Sequence, residues 1–171
     1  LSRFQPTPEN DGTPIVLFAG RMLRDKGLLD LVEAAQQLRK SGLGLRLVLA
    51  GDTDRGNPAS VDQATLEGFE QAGVIEWRRA ERDMSRLYQQ SHVVCLPSYR
   101  EGLGAVLIEG GACGRAAVAS DIAGCRDVIS HGETGILVPA GDVKALADAL
   151  KLLIQDDSLR RRLGAAAVRR I

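Results

Sequence analysis

Short apolar runs alternate along this chain with longer stretches in which apolar residues recur every three or four positions. The short runs predict strands at residues 15–19, 45–50, 74–77, 92–96, 116–119 and 135–139. The longer stretches predict helices, as the stripe of Leu28, Leu31 and Val32 illustrates. Helices are expected over about 28–40 and 60–71, from Asp83 to 90, around Glu109, within 122–129, from Asp142 to about 154, and from near Asp157 onward.

Strands that alternate with helices indicate crossover connections and a mostly parallel sheet. The predicted fold class is therefore α/β, a Rossmann-like doubly wound sheet of six strands with helices on both faces. The common strand order 3-2-1-4-5-6 makes strands one and four neighbours and places the ligand crevice where the order reverses between them. The loops after these two strands are the ones that carry candidate chemistry.

Composition limits the function classes. The chain has 171 residues, enough for one domain with a real core, and 44% of them are hydrophobic. Three prolines and an Asn-Asp-Gly triplet predict a linker over residues 1–13 that lies outside the core, with the domain at 14–171. The 22 basic residues equal the 22 acidic ones, so no nucleic-acid footprint is expected. No apolar run has the length of a membrane span.

Three cysteines, an odd number without Cys-x-x-Cys spacing, argue against a disulfide framework or a zinc site. We expect them to be small buried groups in a reducing cytoplasm. His92 and His131 have no acid or nucleophile at a telling spacing, which favours structural roles. The C-terminal arginines, at 160–162 and 169–170, predict a solvated helix face, and less strongly a surface for acidic lipid or for a missing domain.

The loop after strand one contains two cations, Arg21 and Lys26, preceded by Gly20. A guanidinium fork and a mobile ammonium suit a diphosphate, although a solvated basic loop is the alternative. After strand two, Asp52-Thr53-Asp54 matches the Asp-x-Asp pattern of some metal sites. Its position in a turn-rich loop favours a backbone role for both acids, and no metal site is predicted.

Residues 97–120 read as loop, helix and strand, with Glu101 where the loop becomes a helix and Glu109 about two turns into it. Gly102 and Gly104 let the backbone approach a ligand, or simply form the turn into the helix. A helix N-terminus favours phosphate. Glycine destabilises a helix by about 1 kcal/mol relative to alanine. Gly110 and Gly111, beside Glu109, therefore predict that another group approaches the helix closely at this point. Glu109 could accept from two sugar hydroxyls, whereas each acid could also simply face solvent.

These motifs resemble those of family 4 retaining glycosyltransferases, which have the GT-B fold. The resemblance rests on Glu101-x7-Glu109 within Pro-Ser-x-x-Glu-Gly-Leu-Gly, on Gly20-Arg21-x4-Lys26-Gly27, and on the late Thr-Gly-Ile-Leu-Val segment at 134–138 followed by Gly-Asp. It covers about residues 14–168, the donor-binding second domain of that fold. The first domain, which binds the acceptor, is expected to be missing from this chain.

The resemblance implies a transferase that moves a hexosyl group from a nucleotide-diphosphate sugar to a glycan or lipid-linked acceptor. Arg21 and Lys26 would hold the diphosphate, Glu109 the ribose, and Glu101 a hydroxyl of the donor sugar. The remaining binding contacts would come from Gly20, from the backbone of Gly102, Leu103, Gly104 and Ala105, and from Arg78 near the base. The donor would be a UDP-sugar, with GDP- or ADP-sugars as alternatives, and no metal or other cofactor would be required. The full-length protein would be cytoplasmic, with peripheral contact to the membrane as a further expectation.

Two other functions stay open on the sequence. One is half of a sugar-nucleotide epimerase, which can share the two-domain fold, although no convincing acid/base pair is present. The other is a non-catalytic nucleotide-binding module. A dehydrogenase is disfavoured because no Gly-x-Gly-x-x-Gly follows strand one.

Overall fold

A computed structural model describes residues 2–171. The strands are β1 Ile15–Ala19, β2 Arg46–Ala50, β3 Glu76–Arg78, β4 Val93–Leu96, β5 Ala116–Ser120 and β6 Ile136–Val138. The α-helices are α1 Leu28–Lys40, α2 Gln63–Gln71, α3 Met84–Gln90, α4 Ala105–Ala112, α5 Ala123–Arg126, α6 Val143–Gln155 and α7 Asp157–Arg170. A short 3-10 helix, Arg24–Lys26, precedes α1.

All six strands belong to one parallel sheet in the order β3-β2-β1-β4-β5-β6. This confirms the predicted fold class and strand order. Successive residues of β1 point to opposite faces: Val16 and Phe18 join one core cluster and Leu17 joins the other. The first cluster packs against α1, α2 and α6, and the second against α3, α4 and α5. The sheet is therefore buried on both faces, as a doubly wound fold requires.

The boundaries differ from prediction where a loop pairs with another loop. Helix α2 was expected from residue 60, but Ser60 forms an isolated antiparallel bridge with Leu23, and the Val61 amide donates to the Met22 carbonyl at 2.8 Å. These pairings hold residues 60–61 against the loop after β1, so the helix begins only at Gln63. The loop after β2 is thereby joined to the loop after β1.

Residues 2–13 contain no helix or strand, yet they pack closely on the domain. Phe4, expected to lie outside the core, is 6% exposed and meets the Tyr88 ring edge-on, with 5.9 Å between ring centroids. Glu9 accepts two hydrogen bonds from Arg160, from Nε at 2.9 Å and from Nη2 at 2.8 Å. Arg160 is 3% exposed. The prediction that the arginines of α7 form a solvated face is wrong at this residue, because Glu9 supplies a buried partner for its charge.

Other side chains follow their predicted roles. The three cysteines are buried free thiols. His92 accepts a hydrogen bond from the Ile15 amide at Nδ1, and its Nε2 lies 2.8 Å from the Asn10 carbonyl, which is a structural use of the ring. Within residues 2–171, no helix combines the length and apolar character needed to cross a bilayer.

Candidate functional site

The loops after β1 and β2 leave the sheet in contact with each other. The Gly20 amide donates to the carbonyl of Ala50, the last residue of β2, at 2.9 Å. Gly51 has φ +140°, and a Cβ atom there would lie 1.9 Å from the Gly20 carbonyl oxygen. Only glycine at 51 allows this approach. The cationic loop is therefore fixed against its neighbour from its first residue.

The loops after β1 and β4 also pack together, as the strand order predicts. Gly27, with φ +71°, sits so close to the next loop that a Cβ would lie 2.0 Å from the Pro97 carbonyl oxygen. The Tyr99 amide donates to the Asp25 carbonyl at 2.8 Å. These contacts bring the end of the cationic loop against the start of the acidic one at the carboxyl edge of the sheet.

Lys26 and Glu101 meet at this junction. The Lys26 Nζ lies 2.8 Å from Glu101 Oε2, and their side chains are 22% and 13% exposed. Ser98 Oγ donates to the same carboxylate oxygen at 3.3 Å. Two residues 75 positions apart, selected from sequence as a cation and an acid of one site, thus form a half-buried ion pair.

Arg21 lies in the same loop but turns to a different partner. Its Nη1 donates to Asp54 Oδ2 at 2.7 Å, and its side chain is 62% exposed. Hydrogen bonds from Asn57 and from Arg21 lower the pKa of the Asp54 carboxyl below its ordinary value. One acid of the Asp-x-Asp triplet therefore pairs with Arg21. Among residues 2–171, no group of three or more His, Cys, Asp or Glu side chains is arranged to hold a metal ion.

The turn into α4 presents backbone donors. Gly104 is the N-cap, and no side chain caps the helix. Within the described residues, the amides of Leu103 and Gly104 donate to no protein acceptor. Leu103 is 63% exposed and Ala105 is exposed, while Gly104 between them is buried. A Cβ at Gly102 would meet nothing within 4 Å, so protein packing does not require a glycine there. These amides, with the positive end of the helix, can receive an anionic or hydroxylated ligand.

Helix α5 packs against the backbone of the loop that carries Glu101. A Cβ at Gly124 would lie 2.2 Å from the Glu101 carbonyl oxygen and 2.8 Å from that of Gly102. The absent side chain lets α5 pack directly on the backbone that carries the acid. Gly124 therefore fixes the position of Glu101 although it is far from the ion pair in sequence.

Glu109 lies in the second turn of α4 and is partly buried. Its Oε2 accepts a hydrogen bond from the Tyr88 hydroxyl at 2.9 Å. The two glycines beside it serve packing: a Cβ at Gly110 would lie 2.7 Å from Val94 Cγ2, and one at Gly111 would lie 2.4 Å from Ile171 Cδ1. The close approach that this glycine pair predicts is confirmed, and the groups that approach are the side chains of Val94 in β4 and of Ile171.

The expected base region lies at the end of β3. Arg78 is exposed and lies 3.8 Å from Glu76. Trp77 is 8% exposed, its indole N–H donates to the Gly51 carbonyl at 2.8 Å, and the Arg79 guanidinium stacks 3.8 Å from its ring centroid. The indole is committed to protein contacts, which leaves Arg78 as the open polar group at this end of the site.

Three residues that support the candidate site could not be identified from the sequence. Tyr88 resembles any core aromatic of an amphipathic helix, and Gly124 any glycine of a short turn, so neither carries a local signal. The sequence suggests Asp54 only as a metal ligand or a turn residue. Its spacing gives no hint of Arg21, which lies 33 residues earlier in the chain.

A large cavity among the described residues lies away from these loops. It measures about 570 Å³ and lies between residues 6–9, the second half of α7 and Arg115, which precedes β5. It is therefore at the amino edge of the sheet. Of the polar groups that line it, Glu9 binds Arg160 and Arg115 Nη2 donates to Thr7, whereas Arg115 Nε and Nη1 are buried and have no hydrogen-bond partner among the described residues. The carboxyl edge remains the place where paired charges and open backbone donors converge.

Residues 2–170 match the family model described as glycosyl transferases group 1. A curated relative, the N,N'-diacetylbacillosaminyl-diphospho-undecaprenol alpha-1,3-N-acetylgalactosaminyltransferase of Campylobacter jejuni, is 35% identical over 153 residues, which cover 90% of this chain and 39% of the relative. The alpha-D-kanosaminyltransferase of Streptomyces kanamyceticus is 34% identical over 156 residues, again 90% of this chain and 39% of the relative. The chain thus spans about two-fifths of the length of these curated relatives.

Solved structures share the fold. Sucrose-phosphate synthase from Thermosynechococcus elongatus superposes with a TM-score of 0.86 at 30% identity, over 99% of this chain and 45% of that one. HepE from Anabaena, solved with UDP-glucose, gives 0.81 at 22% identity, over 92% of this chain and 43% of that one. The Rossmann-like architecture and the resemblance to GT-B glycosyltransferases are both confirmed, and the chain belongs to the group 1 glycosyltransferase family.

Proposed function

We propose that this chain is the donor-binding half of a retaining glycosyltransferase that transfers a hexosyl group from a nucleotide-diphosphate sugar to a glycan or lipid-linked acceptor. The observation that carries the proposal is the Lys26–Glu101 pair at the crevice between β1 and β4. Open α/β sheets bind their ligands at this kind of position, where the strand order reverses.

The diphosphate is assigned to Lys26, Arg21 and the start of α4. An ammonium carries three donors, so Lys26 can keep Glu101 and still donate to phosphate oxygens. Arg21 is exposed and offers five donors, of which Asp54 takes one. The positive end of α4 adds to the same field. Negative charge that develops on the departing diphosphate would therefore be stabilised by groups already in place.

The sugar and the nucleoside are assigned to the acids and to the turn before α4. Glu101, next to Lys26, would accept from a hydroxyl of the donor sugar, with the amides of Leu103 and Gly104 and the exposed Ala105 beside it. Glu109 would accept from the ribose. Arg78, at the end of β3, would lie near the base.

In the transfer, the bond between the anomeric carbon and the diphosphate oxygen breaks, and a bond forms from that carbon to the acceptor oxygen. The acceptor's proton passes to the departing diphosphate. Retention of configuration follows if both events occur on the same face of the sugar. The chain's own contribution is to orient the donor and to stabilise the leaving group, and we propose that no metal is required for either.

The relatives support this assignment at the level of reaction class. The Campylobacter and Streptomyces proteins are named as glycosyltransferases, the first with a diphospho-undecaprenol substrate. HepE, which shares the fold, was solved with UDP-glucose. UDP is therefore our first choice of nucleotide, with GDP and ADP next. The acceptor would be bound by an N-terminal domain beyond this chain, and the full-length protein would work in the cytoplasm, in peripheral contact with the membrane.

Isothermal titration calorimetry of this chain with UDP, GDP and ADP tests the proposal. We expect one of the three to bind, and Lys26→Ala to weaken it at least tenfold, because a charge-assisted hydrogen bond contributes about 1.5–3 kcal/mol. Lys40→Ala, at the exposed far end of α1, is the matched control and should bind like the parent. EDTA should leave the affinity unchanged. If a folded sample binds none of the three nucleotides, the proposed function is refuted.

A further inference from the structure

The proposed ribose carboxylate has a protein partner that the family motif does not include. We propose that Tyr88 is a positioning residue, whose hydroxyl holds Glu109 so that the free carboxylate oxygen faces the ribose hydroxyls of the donor. This inference rests on the proposed function, since it assumes that Glu109 reads the ribose. It adds the residue that determines how strongly the site prefers a nucleotide with ribose hydroxyls over one without them.

The contact is short and comes from an immobile ring. Tyr88 Oη donates to Glu109 Oε2 at 2.9 Å, and Tyr88 is 0% exposed. Phe4 packs edge-on against the ring. The Tyr88 carbonyl accepts from both the amide and the hydroxyl of Ser91, at 3.1 and 2.7 Å, which closes the end of α3. Backbone and ring are both fixed, so the position of the hydroxyl is set by packing.

The direction of the hydrogen bond follows from the chemistry of the two groups. Burial, and then the negative charge of Glu109, raise the pKa of Tyr88 above its ordinary value, so the hydroxyl keeps its proton in the neutral range. It therefore donates, and Glu109 accepts. A carboxylate has about four lone-pair sites on two oxygens. Tyr88 uses one site on Oε2, and within the described residues Oε1 has no hydrogen-bond donor.

An unanchored glutamate would not hold this arrangement. Its side chain has several rotatable bonds, and ordering them on ligand binding reduces the affinity. With Tyr88 in place, that ordering occurs during folding, and Glu109 meets the ribose with one orientation. Loss of the Tyr88 hydroxyl should then weaken the binding of the ribose hydroxyls by Glu109 and leave the contacts to the diphosphate unaffected.

The test compares UDP with 2′,3′-dideoxy-UDP, which lacks the ribose hydroxyls, by calorimetry on this chain. If GDP or ADP proves to be the nucleotide that this chain binds, that nucleotide and its 2′,3′-dideoxy analogue are compared instead. We expect the parent to prefer UDP at least tenfold, because a site built to accept hydroxyls rejects an analogue without them. Tyr88→Phe keeps the ring and should reduce that preference about fivefold or more, with the dideoxy affinity unchanged. Ser85→Ala removes another hydroxyl of α3, which donates to the Arg3 carbonyl at 2.6 Å and not to Glu109, and it should leave the preference unchanged.

A second variant separates positioning from general destabilisation. Glu109→Gln should reduce the preference by itself, and Tyr88→Phe should then have no further effect in that background. An unchanged preference in Tyr88→Phe, or an equal loss in Ser85→Ala, overturns the inference while UDP still binds. Equal binding of the two nucleotides by the parent overturns it as well. Absence of all nucleotide binding refutes the proposed function itself, which is a distinguishable result.

Discussion

Replacing Lys26 by methionine tests how strongly the site's ion pair is held. The substitution keeps an apolar stem and leaves the Glu101 carboxylate, 13% exposed, with only the Ser98 hydroxyl. Exposed pairs contribute about 0–1 kcal/mol, and removing one partner of a fully buried pair costs about 3–5 kcal/mol. The Lys26–Glu101 pair lies between these limits, so we expect a loss of about 2 kcal/mol. In a domain of this size, that lowers Tm by about 4–8 °C.

A double-mutant cycle isolates the pair itself. Glu101→Gln alone should also destabilise, and the double variant should recover a coupling free energy of at least about 1 kcal/mol in urea unfolding followed by circular dichroism. Lys144 and Asp148 form the matched control, because their N–O distance is 2.7 Å while their side chains are 84% and 61% exposed. The coupling free energy of the control pair should not exceed about 0.5 kcal/mol. Equal coupling in the two pairs would refute the reasoning, because burial would then contribute nothing.

Three further predictions concern residues around the site and beneath it. Burial alone would raise the pKa of Glu9, but hydrogen bonds and charge from Arg160 lower it below the ordinary value. The ionised Glu9 therefore stabilises the fold at pH values above its pKa in the unfolded chain. This stabilisation is lost as the pH falls through the lower pKa of the folded state. Glu9→Gln leaves Arg160 with the exposed Asp157, whose Oδ1 lies 2.9 Å from Nη1. It should therefore cost about 2 kcal/mol at pH 7 in urea unfolding, less than the roughly 3–5 kcal/mol of an unpaired buried charge, and should flatten that acid limb; an unchanged limb would contradict the assignment. Gly124→Ala forces a methyl against the Glu101 carbonyl, so it should cost about 1–3 kcal/mol and weaken nucleotide binding; parental affinity would contradict this. Burial and the nearby Glu101 charge raise the pKa of the Cys125 thiol to about 11, so it should resist a thiol reagent at pH 8 until urea is added; rapid labelling of the folded chain would contradict its burial.

The fold and the proximity of Lys26 to Glu101 could be predicted because both follow from the order of elements; the ion pair that the two side chains form was not predicted. The spacing of apolar residues predicts the strands and helices, and the doubly wound strand order then makes the loops after β1 and β4 neighbours. Lys26 and Glu101 sit at the ends of those loops, so topology alone brings them together. Their roles toward a donor stay predictions.

The rest depends on packing that sequence periodicity does not encode. Glu9 and Arg160 are 151 residues apart, and only the folded chain shows that a proline-rich segment returns to bury an arginine. Tyr88 is hidden for a similar reason, because a buried tyrosine that only fills space and one that orients an acid look alike in sequence. Gly110 shows the same limit, because its place in a helix predicts a close approach but does not identify Val94 as the residue that approaches.

The most direct test of the central claim is an amide ¹H–¹⁵N correlation spectrum of this chain titrated with UDP, or with whichever nucleoside diphosphate binds most tightly. We predict that shifts concentrate at residues 20–27 and 101–106, in the two loops and the first turn of α4 at the carboxyl edge of the sheet. Shifts that concentrate instead around the amino-edge cavity, at residues 6–9, 114–115 and 161–169, would contradict the account.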